Sequence, residues 1–273
     1  MKKIATSLAL SLSLFAGSNL VLPYGGYIDY SGTTDRDDAA IAGVYLSSYK
    51  APYKLEMALE HMRISYEDST PRYKQNSLAA IVHYYKGYNW DFRAGANILF
   101  VDQGARDETQ KLYMAGVTYY QAYDYNIAAD IYYSDYEGFH VWQLSPKVGK
   151  TLGQYHTMQG SFYVEAGVDY IAVSDDAAKE DSYTTFNAKI QNFNGPWTTT
   201  LEGSVGKNSY RVAKGGFVVY NLGEEYKYSY GLSVARALGA TSSLKLGFAR
   251  AKFDEAGNDA YSNIFVIAYT RSF

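Results

Sequence analysis

The feature that most constrains this chain is an alternation of apolar and polar residues that recurs in segments along its length. Segment 88–100 shows it most clearly. Its even positions are all aromatic or apolar, whereas its odd positions include Asp91, Arg93 and Asn97. A period of two places alternate side chains on opposite faces of a β-strand. The pattern therefore predicts a strand that is apolar on one face and charged on the other.

About fourteen such segments are separated by turn or loop signals, at 20–30, 39–49, 53–66, 73–86, 88–100, 109–122, 123–133, 140–152, 158–172, 183–193, 197–207, 225–238, 242–253 and 263–273. Globular strands centre on ~5–6 residues, whereas a tilted membrane strand needs ~9–11. The segments fit the membrane length. They predict an all-β fold, a closed antiparallel transmembrane β-barrel of about 14 strands, with 12 or 16 left open. The facing of segment 109–122 is ambiguous.

The connections between these segments also alternate in length. Those at 51–52, 86–87, 122–123, 153–154, 194–196 and 239–240 are tight, and those at 31–38, 67–72, 102–108, 134–139, 173–182, 208–224 and 254–260 are mostly longer and richer in charge. Short turns at one rim and longer loops at the other are typical of membrane barrels. The longest connection, 208–224, contains Gly215 and Gly216 and an apolar run. We expect it to extend the strands above the membrane, and folding over the mouth as a gate is the alternative.

The amino terminus has the layout of a secretory signal. Lys2 and Lys3 precede an uncharged apolar run at 4–16, and Gly17 and Ser18 follow it as small residues suited to cleavage. The run is shorter than the ~20 residues of a membrane-spanning helix. The pattern therefore predicts a signal peptide at 1–18 and one barrel domain at 19–273.

The carboxyl terminus carries a resemblance to a known class. Segment 263–273 alternates and ends on Phe273, with Phe265, Ile267 and Tyr269 on the same parity. It resembles the closing strand of Gram-negative outer-membrane β-barrels, in which the terminal aromatic belongs to the signal recognised by the barrel-assembly machinery. With the rest of the pattern, the chain resembles the single-chain, fourteen-stranded, monomeric outer-membrane porins.

That resemblance has several implications. It implies a place in the lipid of the cell outer membrane, short periplasmic turns and longer extracellular loops, and passive diffusion of ions and small hydrophilic solutes. The chain departs from trimeric porins because no long third loop is available to fold inward. It also departs from active importers, which carry an amino-terminal plug domain, and from fatty-acid channels, which carry a shorter plug, since its first strand pattern begins almost directly after the leader.

The composition agrees with a membrane barrel. The chain has 30 Tyr, whose amphipathic ring is favoured at membrane interfaces, and no Cys, so neither disulfides nor thiolate metal sites are available. A soluble β-sandwich would show the same alternation with its apolar face inward. The formal charge is −3, or −5 once Lys2 and Lys3 leave with the leader. No basic cluster points to nucleic acid.

If the apolar faces point to lipid, the opposite parity supplies candidate channel-lining residues. There are nine acids and six bases: Asp29, Lys54, Glu56, Glu60, Asp91, Arg93, Asp124, Asp130, Lys147, Glu165, Asp169, Lys189, Glu202, Lys227 and Lys245. So many charges require water or pairing partners. We expect a water-filled pore that weakly prefers cations because of the acidic excess. The alternative is a lumen closed by ion pairs.

The sequence offers no catalytic or metal site and no cofactor. Its four histidines, at 61, 83, 140 and 156, are scattered over different segments, and His140 has a serine and an acid, Ser134 and Asp135, close in sequence. A motif counts only with its structural context. We therefore expect a protein that is not an enzyme. An outer-membrane lipid hydrolase and a closed structural or adhesive barrel remain the alternatives.

Overall fold

The computed structural model describes residues 18–66, 73–104, 107–122, 124–154, 160–174, 177–255 and 257–273. The expected signal peptide at 1–18 lies outside these residues except for Ser18, and the expected loop at 67–72 lies outside them entirely. The first strand begins at Ser18, so the barrel starts where the predicted leader ends.

Fourteen long strands form one closed antiparallel barrel, as the alternation predicts. They are β1 (Ser18–Ser31), β2 (Arg36–Lys50), β3 (Tyr53–Tyr66), β4 (Tyr73–Lys86), β5 (Trp90–Asp102), β6 (Asp107–Gln121), β7 (Tyr125–Tyr136), β8 (Phe139–Gly153), β9 (Ser161–Val173), β10 (Ser182–Asn194), β11 (Trp197–Asn208), β14 (Glu225–Ala237), β15 (Ser242–Glu255) and β16 (Asn258–Ser272). Two short strands, β12 (Val212–Ala213) and β13 (Val218–Val219), pair only with each other. The predicted fold class and the count of fourteen are confirmed.

The first and last strands close the sheet. Tyr27 lies opposite Phe265 and Gly25 lies opposite Ile267 in an antiparallel register between β1 and β16. The backbones of Asn19 and Phe273 exchange two hydrogen bonds of 3.0 Å where the chain ends meet. A closed sheet has no unpaired edge, which is the condition for crossing hydrocarbon with strands.

An apolar belt surrounds the barrel. The outward parity of most strands carries large apolar side chains with wide exposure, such as Phe100 at 50%, Ile127 at 52%, Leu201 at 52% and Phe265 at 50%. The opposite parity turns inward and includes buried Asp130 at 1% exposed. Outward apolar and inward polar faces are the arrangement of a barrel in lipid. Among the described residues, no helix is long and apolar enough to span a membrane.

The two rims differ less in loop length than the sequence predicts. We call the rim that holds both chain ends the terminal rim and the opposite one the loop rim. At the loop rim, the expected loop at 134–139 is a two-residue turn, because β7 and β8 extend to Tyr136 and Phe139. The expected loop at 254–260 is shortened in the same way, because β15 and β16 extend to Glu255 and Asn258. At the terminal rim, the expected tight turn at 153–154 is instead the connection 154–160 between β8 and β9.

The longest connection folds into the barrel, so the expectation that it extends the strands is wrong. We call residues 209–224 the inner loop. It contains β12, a single 3₁₀ turn at Lys214–Gly216 and β13. Val212 packs in a buried cluster with the wall residues Ile81, Leu112, Met114 and Tyr132. The loop enters the lumen because its apolar side chains are buried there rather than exposed to water.

Candidate functional site: the lumen and its inner loop

A glutamine on the barrel wall holds the first half of the inner loop. Gln143 on β8 donates a hydrogen bond from Nε2 to the backbone oxygen of Val212 at 2.8 Å and accepts one at Oε1 from the Val212 N–H, also at 2.8 Å. This pair copies the pattern that neighbouring strands use. Gln143 is 2% exposed, so the two bonds lie away from water and satisfy its amide in full.

Asparagines hold the middle and the second half of the inner loop. Asn221 Nδ2 lies 2.7 Å from Gln110 Oε1, 2.8 Å from Gln75 Oε1 and 3.1 Å from the Tyr73 hydroxyl, so its two amide hydrogens are shared among three acceptors. Asn97 on β5 donates to the backbone oxygen of Gly216 at 3.0 Å. These contacts fix the loop against β4, β5 and β6. Hydrogen bonds between buried polar groups favour one arrangement of the loop.

Ion pairs join the two ends of the inner loop to other parts of the wall. Arg211 Nε lies 2.7 Å from Asp169 Oδ2 on β9, and Lys214 pairs with Glu202 on β11. A third ion pair joins Glu224 to Arg36 at the start of β2.

Of these three ion pairs, the one between Arg36 and Glu224 is the most enclosed, with side chains 12% and 4% exposed. Burial raises the pKa of the Glu224 carboxyl, and the Arg36 guanidinium acts in the opposite direction.

A belt of alternating charges runs around the wall from β3 to β8. Lys54 Nζ is 2.8 Å from Glu56 Oε1, and Glu56 Oε2 is 2.6 Å from His83 Nε2. His83 Nδ1 lies 3.0 Å from Asp91, which lies 3.4 Å from Arg93.

The belt continues from Arg93 to β7 and β8. Arg93 Nε donates to Asp130 at 2.8 Å, and Lys147 Nζ lies 3.3 Å from the other Asp130 oxygen. Farther around the wall, Lys189 Nζ is 3.0 Å from Glu165. Most charges of this lumen therefore have partners along the wall rather than across the opening.

Glycines leave the space that these contacts use. Gly116 on β6 lies in register between Arg93 and Asp130, and a Cβ added to it would overlap both side chains. Gly43 on β2 likewise has the ring of Tyr24 over it, which lets the Tyr24 hydroxyl reach Glu60 on β3 at 2.7 Å. In both cases a side chain crosses one strand to reach an acid on the next, because the strand between has no side chain there.

The inner loop leaves two cavities in the lumen. The larger measures about 510 Å³ and has an apolar side formed by Ile28, Ile41, Met62, Val219 and Ile264. The smaller, about 450 Å³, is lined by the charge belt, including Glu56, His83, Asp91 and Arg93. Both are bordered by Lys147, Glu165, Lys214 and Phe217. A small solute could thus occupy the barrel on more than one side of the loop.

Most of the predicted channel-lining residues belong to the inward parity. They are Lys54, Glu56, Glu60, Asp91, Arg93, Asp130, Lys147, Glu165, Asp169, Lys189, Glu202 and Lys245. Those on β3 to β8, apart from Glu60, form the belt, and Asp169 and Glu202 bind the inner loop. Lys245 is inward but exposed.

Three of the predicted residues lie elsewhere. Asp29 is on the outward parity of β1, opposite Asn263, because the apolar parity of that strand faces the inner loop. Asp124 is in the turn before β7 at the terminal rim, where its side chain is 51% exposed and pairs with Lys150. Lys227 is the extra residue of a bulge in β14. The bulge turns its side chain outward, where Nζ lies 2.7 Å from Asp259 Oδ1 on β16.

The structure corrects the predicted facing of β1 and assigns that of β6. On β1, Ile28 and Tyr30 face the lumen, although the rule that apolar faces point to lipid places them on the outside. On β6, which was ambiguous, Leu112 and Met114 face inward and Tyr113 faces outward at 50% exposed. All four inward side chains belong to clusters that include inner-loop residues, or lie against them.

Sequence reasoning missed the loop's own contribution to the lumen. The inner loop supplies Arg211, Lys214, Asn221 and Glu224, and β2 supplies Arg36. One signal was available. The apolar run 217–220 lies in a connection that should be polar if it extended into water.

The described part of the chain offers little support for a catalytic or metal site. His140 Nδ1 lies 3.2 Å from Ser174 Oγ, but that oxygen also accepts the His140 backbone N–H at 3.0 Å, as a strand-end cap does. A nucleophile requires a base that is itself oriented by a third group. Within the described residues, no such group is hydrogen-bonded to the other ring nitrogen of His140. They also hold no group of three or more metal-binding side chains.

Comparison with solved structures first defines the class of fold, which is that of the Gram-negative outer-membrane β-barrels. The CymD monoaromatic hydrocarbon channel gives a TM-score of 0.61 at 9% identity over 96% of this chain and 90% of that one. The toluene transporter TbuX of Ralstonia pickettii gives 0.60 at 11% identity over 96% and 91%. The outer-membrane protein Omp33 of Acinetobacter baumannii gives 0.51 at 10% identity over 94% and 99%.

At identities this low, the TM-scores show a shared fold and nothing more specific. No family model matches the sequence, and a search of curated proteins found no match.

Proposed function

We propose that this chain is an outer-membrane channel for passive diffusion of ions and small hydrophilic solutes, narrowed by its inner loop. The observation that carries the proposal is the inner loop itself, bound across the lumen by Gln143 and Asn221 and leaving cavities of about 510 and 450 Å³. A barrel filled by side chains alone would leave no such spaces. The likeness of fold to proteins described as channels and transporters supports a channel, without bearing on the class of solute.

The charges of the lumen determine which ions the proposal favours. With the inner loop and the Arg36 cluster included, the ion-pairing wall of the lumen holds nine acids and eight bases: Glu56, Glu60, Asp91, Asp130, Glu165, Asp169, Glu202, Glu224 and Glu255 against Arg36, Lys54, Arg93, Lys147, Lys189, Arg211, Lys214 and Lys245. Asp29, Asp124 and Lys227 are not on this wall, and the added bases reduce the sequence-based excess of three acids to one. A nearly balanced lumen favours only weak discrimination between small cations and anions.

Single-channel recording tests the proposal. Wild-type protein in planar bilayers should give small stepwise currents, and a variant with residues 211–222 replaced by a short Gly-Ser linker should give larger ones because the loop no longer narrows the lumen. A four-residue Gly-Ser insertion at Gly138, an exposed turn on the same rim, is the control and should leave the conductance unchanged. If the wild type and the loop-replacement variant both form folded barrels and neither carries current, the channel proposal is refuted.

A second candidate is a channel for apolar solutes. Its support is the apolar side of the larger cavity, which includes Ile28, Ile41 and Met62, together with the likeness of fold to the monoaromatic hydrocarbon channel CymD and the toluene transporter TbuX. Vesicles containing the protein should then accumulate toluene faster than empty vesicles, while ion conductance stays absent. That combination would replace the hydrophilic proposal.

The proposal also covers the membrane in which the chain resides and the route by which it is assembled there. We propose that the chain resides in the outer-membrane lipid as a monomer and reaches it through the barrel-assembly machinery. Phe273 supports the last point, since it lies just beyond β16 and is 67% exposed. A terminal aromatic that contributes so little to burial is available for recognition by another protein.

A further inference from the structure

One acid of the lumen lacks the cation partner that the others have. Glu60 lines the larger cavity, and the hydrogen bond that the structure gives its carboxylate is from the Tyr24 hydroxyl at 2.7 Å. Among the described residues, each of the other eight lumen acids counted above pairs with an Arg, a Lys or His83. Glu60 is therefore the exception in an otherwise neutralised wall.

The register explains why no cation reaches Glu60. Its partner on β2 is Gly43 and its partner on β4 is Ser77, so neither neighbouring strand offers a base there. A half-buried carboxylate without a cation is destabilised in its charged form. A cationic ligand at this position would remove that penalty.

The surroundings of Glu60 define the rest of such a ligand. Ile41 lies opposite Met62 one pair farther toward the loop rim, and Ile28 lies opposite Ile264 on the neighbouring strands. These side chains pack against the same buried cluster as Val219 of the inner loop. The site thus presents one negative group beside an apolar surface, in a cavity of about 510 Å³ that falls within the ~300–1,000 Å³ range of small-molecule sites.

We propose that the larger cavity is a binding site for a small amphipathic organic cation, an alkylamine in its ammonium form. The ammonium group binds the Glu60 carboxylate, and the alkyl part packs on Ile28, Ile41 and Met62. The site deepens the proposed channel function by naming a solute class, and its role as a transit site rests on that function. Binding itself does not require an open pore.

Calorimetry on the folded protein in nanodiscs tests the site with n-pentylammonium as the probe. Replacement of Glu60→Gln should weaken binding about 10- to 100-fold, the range for loss of a hydrogen bond to a charged group. The outward Asp29→Asn variant removes the same charge from the other face and should leave the affinity unchanged. 1-Pentanol and pentanoate, which match the probe in length but lack its positive charge, should bind at least tenfold more weakly.

The apolar half of the site has its own measurement. From propyl- to pentylammonium the affinity should rise about fourfold for each buried methylene. Met62→Gln, of similar size but polar, should flatten this dependence while keeping the preference for an amine over an alcohol. Equal affinity of the Glu60→Gln variant and the wild type for pentylammonium, or equal affinity of the wild type for amine and alcohol, would overturn the proposal.

Two controls keep the outcomes separate. Heat-modifiable gel mobility reports whether each variant is a folded barrel, and if Glu60→Gln fails to fold, Glu60→Asp replaces it and should lose affinity at least severalfold. Conductance is recorded on the same preparation. Pentylammonium binding without any conductance would refute the channel but not the site, and conductance without pentylammonium binding would refute the site but not the channel.

Discussion

Asp130 lies where the charge belt is most enclosed, so its replacement tests the assignment of the lumen wall directly. Asp130→Asn keeps the shape of the side chain and removes its charge. The acid is 1% exposed, accepts a hydrogen bond from Arg93 Nε at 2.8 Å and lies 3.3 Å from Lys147 Nζ. Arg93, itself 9% exposed, would keep Asp91, at the longer distance of 3.4 Å, as its acidic partner.

The size of the effect follows from this burial. Removing one partner of a buried ion pair costs about 3–5 kcal/mol, because the remaining charge has neither water nor a counter-ion. Asp91 and Thr118, whose hydroxyl accepts from Arg93 at 2.7 Å, reduce the loss. We therefore expect Asp130→Asn to lower the free energy of unfolding by about 3 kcal/mol, near the lower end of that range.

The matched control is Asp124→Asn. The sequence placed Asp124 in the same inward group, but the structure places it in the turn before β7, where it and Lys150 are 51% and 61% exposed and 3.4 Å apart. An exposed ion pair contributes about 0–1 kcal/mol. Urea unfolding of both variants in lipid vesicles measures the difference. Equal losses of stability in the two variants would refute the distinction between wall and rim.

Three further predictions concern packing, charge and assembly. Gly43→Ala should displace the Tyr24 ring that lies over it and lower stability by about 1–3 kcal/mol, the range for overpacking, as urea unfolding would show; no change would mean that the ring is free to move. Lys189→Met should shift the reversal potential in a salt gradient toward cation preference because Glu165 loses its partner, whereas outward Lys227→Met should not; identical shifts would contradict the assigned faces. Deletion of Phe273 should slow assembly into membranes in cells while leaving the unfolding free energy of the refolded barrel within about 0.5 kcal/mol, and normal assembly would argue against its role as a signal.

The strands themselves could be predicted from the sequence because a period of two is a direct consequence of strand geometry. Segment 88–100 needed no tertiary information, and the structure confirms β5 there. The inward placement of Asp91, Arg93 and Asp130 followed from the same rule. Alternation defines two faces, but it does not say which of them meets lipid.

That ambiguity explains the errors on β1. Its apolar parity holds Ile28 and Tyr30, which pack near Val219 and Leu222 of the inner loop, so an apolar stripe faces the lumen. The hypothesis that every apolar stripe faces lipid assumes a lumen that holds only water. The bulge that turns Lys227 outward adds one residue to the strand, and a count of alternating positions has no means of detecting it.

The inward apolar residues and the inner loop also require each other. In an open pore Ile81, Leu112 and Met114 would face water, and in the structure they are buried with Val212. A fully buried Val, Leu, Ile or Met side chain contributes about 1.5–3 kcal/mol. The exposed ion pair between Lys214 and Glu202, with side chains 55% and 39% exposed, contributes about 0–1 kcal/mol.

Apolar burial therefore contributes more to the position of the loop than the ion pair between Lys214 and Glu202, and breaking this most exposed ion pair should not release the loop. We expect Lys214→Ala to leave the single-channel conductance within a small factor of the wild type, whereas Val212→Ser, which places a hydroxyl among Ile81, Leu112 and Met114, should produce frequent larger openings. Both variants are recorded in planar bilayers at the same salt concentration. If Lys214→Ala opened the lumen and Val212→Ser did not, charge rather than burial would hold the inner loop in place.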